Sequence, residues 1–382
     1  MDPLATAREL LPLIRASRDE TETQRRIAAP VVAALRSSRL CRIALPAEQG
    51  GLALPPRDAL SIYELLAGAE ASVSWIVWNN ALPGYFGRFL QPGARAEIFG
   101  NPEALYAGST RPSGRAAVDG EGFQVNGRWS LVSGCELAEW LALRCLVEEN
   151  GQPRMLQPNV PEVRMVWVKR ADTRILDTWH TGGLRGTGSH DVVVENVKVP
   201  RRHTLSPADG SSLAGPLGRV PIVCSMAAGY AAQLLGMGSA AVDALVELTA
   251  SKPVVDPGPA IGERPAVLAA VAEHRVRLAA ARDHLHGCVA RSWQAAEAQC
   301  CGPTDIAAVF GAAHHAMAQG RGAVVAMYAL AGASALYTSS PLERAHRDMH
   351  AMAAHIIAQP NFVEDTGRVQ LGLKPLNPLY LV

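Results

Sequence analysis

Residues 178–200 read TWHTGGLRGTGSHDVVVENVKVP, with glycines at 182, 183, 186 and 188 set among the hydroxyls of Thr178, Thr181, Thr187 and Ser189. A glycine-rich turn cradles a phosphate when a strand precedes it and a helix N-terminus follows, so that backbone N–H groups and the helix dipole face the anion. Here the turn runs into DVVVENVKVP, which is dense in β-branched residues. The glycines are therefore expected to make a tight turn between strands, without a dinucleotide or P-loop role. Two histidine clusters, HLH at 284–286 and HH at 314–315, raise the question of a metal. Adjacent and i,i+2 side chains diverge on a helix, so no metal is expected. No G-x-S-x-G elbow is present for a serine nucleophile.

The elements that position these residues follow from periodicity. Leu10, Leu11, Ile14, Ile27, Val31, Val32 and Leu35 fall at helical spacing, and RDALSIYELLAGAEASVSWIVWNNAL and PGARAEIFG continue the pattern. From about 105 to 205 the period shortens: GRAAVDGEGFQVNGRWSLVSG, WLALRCLVEE, RMVWVKR and DVVVENVKVP read as strands separated by Gly and Asp-Gly turns. No long helices alternate with them, which disfavours a doubly wound fold. Beyond 207–218 the chain is Ala-rich and helical to about 360, predicting four or five long, closely packed helices, with KPVVDPGPAIGERP (252–265) as a Pro-rich loop between two of them. The expected fold class is α+β. Its domains are a helical one over 1–104, a central β-barrel-like one over 105–206 and a four-helix bundle over 207–382.

This order resembles the acyl-CoA dehydrogenase superfamily over nearly the whole chain. GLRGTGSHDVVVENVKVP (183–200) is similar to the family's Gly-x-Arg-Gly-Ser/Thr turn and x-V-x-V-P strand, GFQVNGRWSLVSG (122–134) to its G-x-x-x-x-G-x-K-x-W-I-T-N-G, and RAHRDMHAMAAH (344–355) to its R-x-x-R-D-A-R helix. The resemblance implies a flavin between β domain and bundle. It implies contacts to that flavin from Ser109 in YAGST, Ser133 in LVSG, Trp179, Thr187 and Ser189.

A dehydrogenase of this family needs a carboxylate base. The family's usual position, nine residues after the Arg of Arg-Asp-Ala-Arg, is Ile356, and its alternative on the first bundle helix falls near Met226. His355 stands beside the first. The chain thus resembles the branch of two-component flavin-dependent monooxygenases, typified by p-hydroxyphenylacetate hydroxylase oxygenase components. EASVSWIVWNN (70–80) is similar to that branch's S-x-x-W segment. The resemblance implies reduced FMN or FAD, delivered by a separate NAD(P)H flavin reductase and reacting with O2 to a C4a-hydroperoxide that hydroxylates an aromatic, heteroaromatic or amine substrate. It implies a homotetramer. His355 is then the base, with His350 as a second candidate, and Ser133 the partner of flavin N5. Arg347 and Asp348 are expected to form a structural ion pair. The first 179 residues hold no histidine, so a phenolate held by a histidine of the N-terminal domain is not expected. The alternatives are a flavin dehydrogenase or desaturase acting on a thioester, and a non-catalytic flavin-fold binding protein.

Composition bounds these readings. The chain has 382 residues, 48% hydrophobic, and a net charge of +1, which argues against a nucleic-acid partner. The N-terminus lacks a basic-then-apolar signal pattern, and no apolar stretch is expected to reach the roughly 18 residues of a membrane span. Seven cysteines without C-x-x-C spacing read as reduced thiols, and the expected location is cytoplasmic.

Overall fold

The computed structural model describes residues 2–251 and 260–377. The chain opens with α1 (Pro3–Ala16), α2 (Arg18–Gln24), α3 (Ala29–Ser38), α4 (Pro56–Ala69), α5 (Ala71–Gly87) and α6 (Pro92–Phe99). α1, α3, α4 and α6 each carry a proline in the first turn, which lacks only an N–H that turn would not use. α5 starts instead at Glu70, whose carboxylate accepts from Ser72 N at 3.2 Å. Its segment VSWIVW is apolar on every face because protein surrounds it: Trp75, Ile76, Val77 and Trp78 are all buried.

The middle of the chain supplies β1 (Tyr106–Asp119), β2 (Gly122–Val132), β3 (Trp140–Glu149), β4 (Gln152–Pro153), β5 (Met155–Gln157), β6 (Val160–Pro161), β7 (Val163–Lys169), β8 (Arg174–Leu176), β9 (His190–Pro200) and β10 (Thr204–Leu205). An eight-stranded sheet runs β10-β7-β3-β1-β2-β9-β8, with β4 paired to β3 and β5–β6 separate. β1 and β3 are parallel, and the other pairs are antiparallel. Two register breaks shape the site. One interrupts β1 against β3 between Ser109 and Gly114, and the other interrupts β2 against β9 between Trp129 and Val132. At the second, Leu131 takes a left-handed φ of 61° with its side chain in solvent. Such bulges bend a strand and re-aim the residues beyond the bend, here Ser133 and Gly134.

The chain ends in α7 (Ile222–Ser251), α8 (Pro265–Glu297), α9 (Pro303–Ala331), α10 (Pro341–Ala353) and α11 (Asn361–Gln370). Where four or five long helices were expected, three are long, at 30, 33 and 29 residues, and the shorter α10 and α11 pack on them. α7 and α9 touch through glycines: a Cβ on Gly320 would lie 2.3 Å from Leu234 O. α7 is also long and apolar enough, by length and composition alone, to cross a membrane, contrary to the sequence expectation. Here it is a central helix packed by α4, α5, α8, α9 and α10, and that enclosure accounts for its apolarity. Of the expected Pro-rich loop, residues 252–259 lie outside those described, and Ile261–Glu263 form a 3-10 turn.

Candidate active site

The glycine stretch is the turn from β8 into β9. Leu184 and Gly188, both at φ 50°, bracket a 3-10 turn over Arg185–Thr187. Its glycines permit close approach. A Cβ on Gly183 would sit 2.3 Å from Arg347 O on α10, and one on Gly186 would sit 2.3 Å from Thr21 Cγ2 on α2. A strand comes next, so the turn does not run into a helix of its own, although the first turn of α5 packs on it: a Cβ on Gly186 would also lie 2.9 Å from Ser72 Cβ.

Ionisable groups hold its outer side. Leu184 N donates to Asp348 Oδ1 at 2.6 Å. Arg347 donates to Gly182 O and pairs with Glu343 at 2.6 Å and Glu22 at 3.0 Å. Arg185 pairs with the same Glu22 at 3.3 Å. The expected Arg347–Asp348 ion pair is therefore not formed. Consecutive helical residues point in different directions, and each meets its own partner on the turn or α2. Burial, with Glu70 nearby, holds the Asp348 carboxyl well above the usual range, against the lowering effect of the Leu184 N–H.

The inner side is neutral. Thr187 Oγ1 lies 2.8 Å from Leu184 O and 2.7 Å from Ser189 Oγ. Ser189 Oγ lies 2.7 Å from Ser133 Oγ, which accepts from Trp75 Nε1 at 3.0 Å. All three hydroxyls are buried. Trp179 Nε1 donates to the same Leu184 O at 3.0 Å. Ser133, Thr187, Ser189 and Trp179 thus form one connected set. Ser109 stands apart at the register break of β1, where its Oγ accepts from Arg111 N at 3.4 Å.

His355 lies past the end of α10 and caps the 3-10 turn Ile356–Ala358. Its ring stacks on Tyr230 of α7 (5.5 Å, 25°) and meets Trp75 (5.5 Å, 82°) and Trp78 (6.1 Å, 79°) edge-on. One indole, Trp75, therefore touches both His355 and Ser133. The two positions where a carboxylate base would stand hold an exposed Ile356 and a partly buried Met226. His350 is exposed on α10, with its Nε2 against that of His346 at 3.3 Å, outside this ring set.

His355 is pushed down to about 4, first by burial and then by the Arg111 guanidinium. Nδ1 accepts from Ile357 N at 3.3 Å, so the proton of the neutral ring belongs on Nε2. A ring held neutral in that tautomer is suited to donate a hydrogen bond, whereas the sequence expectation was a base near its ordinary pKa.

Trp75, Trp78, Tyr230 and Arg111 were not singled out from the sequence. The S-x-x-W resemblance pointed at Trp75's segment, but nothing marked Tyr230 within an Ala-rich helix. The set fits a flavin. Its hydroxyls match the N–H and ring-nitrogen edge of an isoalloxazine without adding charge, and its walls are aromatic. Trp78 Nε1 is buried with no hydrogen-bond partner among the described residues. Among those residues no group of three or more His, Cys, Asp or Glu converges as a metal cage.

Residues 228–360 match the family described as acyl-CoA dehydrogenase, C-terminal domain. The chain is 29% identical to the indole-3-acetate monooxygenase of Pseudomonas putida, over 96% of this chain and 92% of that one. It is 30% identical to the flavin-dependent monooxygenase, oxygenase subunit HsaA, of Rhodococcus jostii, over 92% and 93% of the two chains. The crystal structure of 3-HSA hydroxylase from Rhodococcus sp. RHA1 superposes with a TM-score of 0.90 at 27% identity, covering 100% of this chain and 99% of that one. The chain belongs to the flavin-dependent monooxygenase oxygenase components of the acyl-CoA dehydrogenase fold.

Proposed function

We propose that reduced flavin and a small aromatic or heteroaromatic substrate meet at the Trp75–Ser133–His355 set, in an oxygenase component that a separate reductase supplies with reduced FMN or FAD. The observation that carries this reading is the Trp75 indole, hydrogen-bonded to Ser133 and in ring contact with His355. It ties the N-terminal helices, the β domain and the bundle together at one point.

Bound reduced flavin, with O2, supplies the oxygen atom that is inserted. The chain's own residues prepare the place. A hydroxyl offers one proton and two lone pairs. Trp75 occupies one lone pair of Ser133. When Ser133 donates to Ser189, Ser189 to Thr187 and Thr187 to Leu184 O, the second lone pair is free to accept from a ring N–H. Turning Thr187 onto Ser189 and Ser189 onto Ser133 frees the Ser133 proton to be donated instead. Ser133 thus serves as acceptor or donor with no change of charge. His355 contributes an Nε2–H that orients a substrate oxygen or nitrogen lone pair, while Tyr230 and the Ile357 N–H hold the ring. The indoles and Tyr230 keep water from this surface.

Exposed apolar side chains on the bundle and the segments around it, among them Val276, Leu336, Tyr337 and Leu371, support self-association, which this reading takes to be a homotetramer. The test mixes the full chain with chemically reduced FMN or FAD and then with O2, following the absorption spectrum. The expected record passes through a lasting species distinct from oxidised flavin, and an indole or phenol panel gives a product heavier by one oxygen. Oxidation at the rate of free flavin overturns the reading.

A further inference from the structure

We infer that His346 and His350 form a binding site for a late first-row divalent cation, Cu2+, Ni2+ or Zn2+, on the solvent side of α10. The two stand four residues apart, so their side chains lie one above the other on one helix face. Their Nε2 atoms are 3.3 Å apart. Zinc–imidazole bonds run about 2.0–2.1 Å, so an ion at that distance from both nitrogens sees them at roughly 104–111°, close to tetrahedral. In the metal-free chain that contact is a hydrogen bond between the rings, and a cation that displaces its proton meets two nitrogens at a span two ligands on one ion occupy.

The rest of the environment favours it. His346 is fixed by stacking on Tyr328 of α9 (4.2 Å, 18°). His350 meets it at 70° and is exposed, so its ring turns about a soft torsion until the two lone pairs converge. Neutral imidazole is the form a cation needs. Glu343 is occupied by Arg347 at 2.6 and 3.0 Å. No third protein ligand converges here among the described residues, so water completes the shell.

Neither of the sequence's two histidine clusters, HLH and HH, has this geometry, and the site departs from the expectation of no metal. One other pair shares the spacing. His284 Nδ1 lies 4.0 Å from Cys288 Sγ, but burial raises that thiol and Arg291 donates to the sulfur at 3.1 Å, which leaves it a poor ligand. A cation on His346 and His350 would staple the turn of α10 that contains Asp348. Binding of this kind stabilises the folded chain by mass action. The inference is independent of the flavin reading, since neither histidine touches the Trp75 set.

The test uses the full chain without an affinity tag, stripped with a chelator, in calorimetric titrations with NiCl2, CuCl2 and ZnCl2. One ion per chain is expected in the tightest phase, with a rise in melting temperature. His350→Gln is expected to weaken that phase at least tenfold and to abolish the thermal shift while keeping the metal-free melting temperature. His346→Gln is expected to do the same. If it loses the fold with its Tyr328 stack, His350→Gln decides alone. No binding by the parent chain, or unchanged binding in His350→Gln, overturns the site.

Discussion

The two sides of the turn at 182–189 are built from opposite materials. Its outer side meets the Arg347–Glu22–Arg185 ion pairs and the buried Asp348 carboxyl, which burial favours in its protonated form, and these partners fix where the turn lies. Its inner side carries Thr187 and Ser189, which reach Ser133 and Trp75 without any formal charge. The contrast separates holding from handling. Charged pairs gain from rigid geometry, whereas hydroxyls exchange donor and acceptor roles by rotating one bond. On the function proposed above, a flavin that changes redox state is served by the second kind of group.

The largest effect should come from the holding side. Asp348→Ala leaves the Leu184 N–H buried without an acceptor, and should lower unfolding free energy by about 2–3 kcal/mol in urea titrations. Asp348→Asn keeps an acceptor and should cost less. Because the folded state raises the Asp348 pKa, its contribution is complete at acid pH and fades as pH rises above the ordinary carboxylate range. The Asn variant should flatten that decline. A decline that persists in it would place its origin elsewhere.

On the handling side, Ser133→Ala strips Trp75 Nε1 of its acceptor. It should cost about 1–2 kcal/mol of stability and shorten the lifetime of the oxygen-dependent flavin species at least tenfold, read by stopped-flow absorbance. Equal lifetimes in parent and variant would remove Ser133 from the flavin's surroundings. His355→Asn and His355→Ala distinguish donation from proton abstraction. A donor role predicts that Asn retains part of the hydroxylation yield and Ala little, whereas a base role predicts equal loss. His355 titrates opposite to Asp348. Its folded pKa of about 4 lies below the ordinary 6.5, so its contribution is complete above 6.5 and is lost as pH falls through 4. The smallest effect belongs to Arg111→Gln, which should move the His355 pKa upward in an NMR titration, since one of the two influences depressing it is removed.

Much of the architecture is legible in the sequence alone. The change of period near residue 105 and again past 207 marks where helices give way to strands and return. The β-branched density of DVVVENVKVP was enough to place a strand, not a helix, after the glycines. The turn hydroxyls were singled out only through the resemblance of their segments to the family, and the structure joins Thr187, Ser189 and Ser133 by hydrogen bonds. What escaped was non-local. Arg347 and Asp348 are neighbours in sequence, but partners on α2 and the glycine turn draw them apart. The role of Trp75 depends on α5 passing over the end of β2, and no pattern within either segment encodes that. His355 was expected within a helix, yet α10 stops two residues short of it, and its neutral state stems from Tyr230, Trp75 and Arg111, which come from three separate elements.

The left-handed Leu131 bears on evolution by insertion and deletion. Side chains on a strand alternate between faces, so which hydroxyl reaches Trp75 and Ser189 is a question of odd and even. The irregular step at this residue sets that parity for Ser133. Losing the residue should turn the hydroxyl to the other face while the chemical composition of the segment stays almost unchanged.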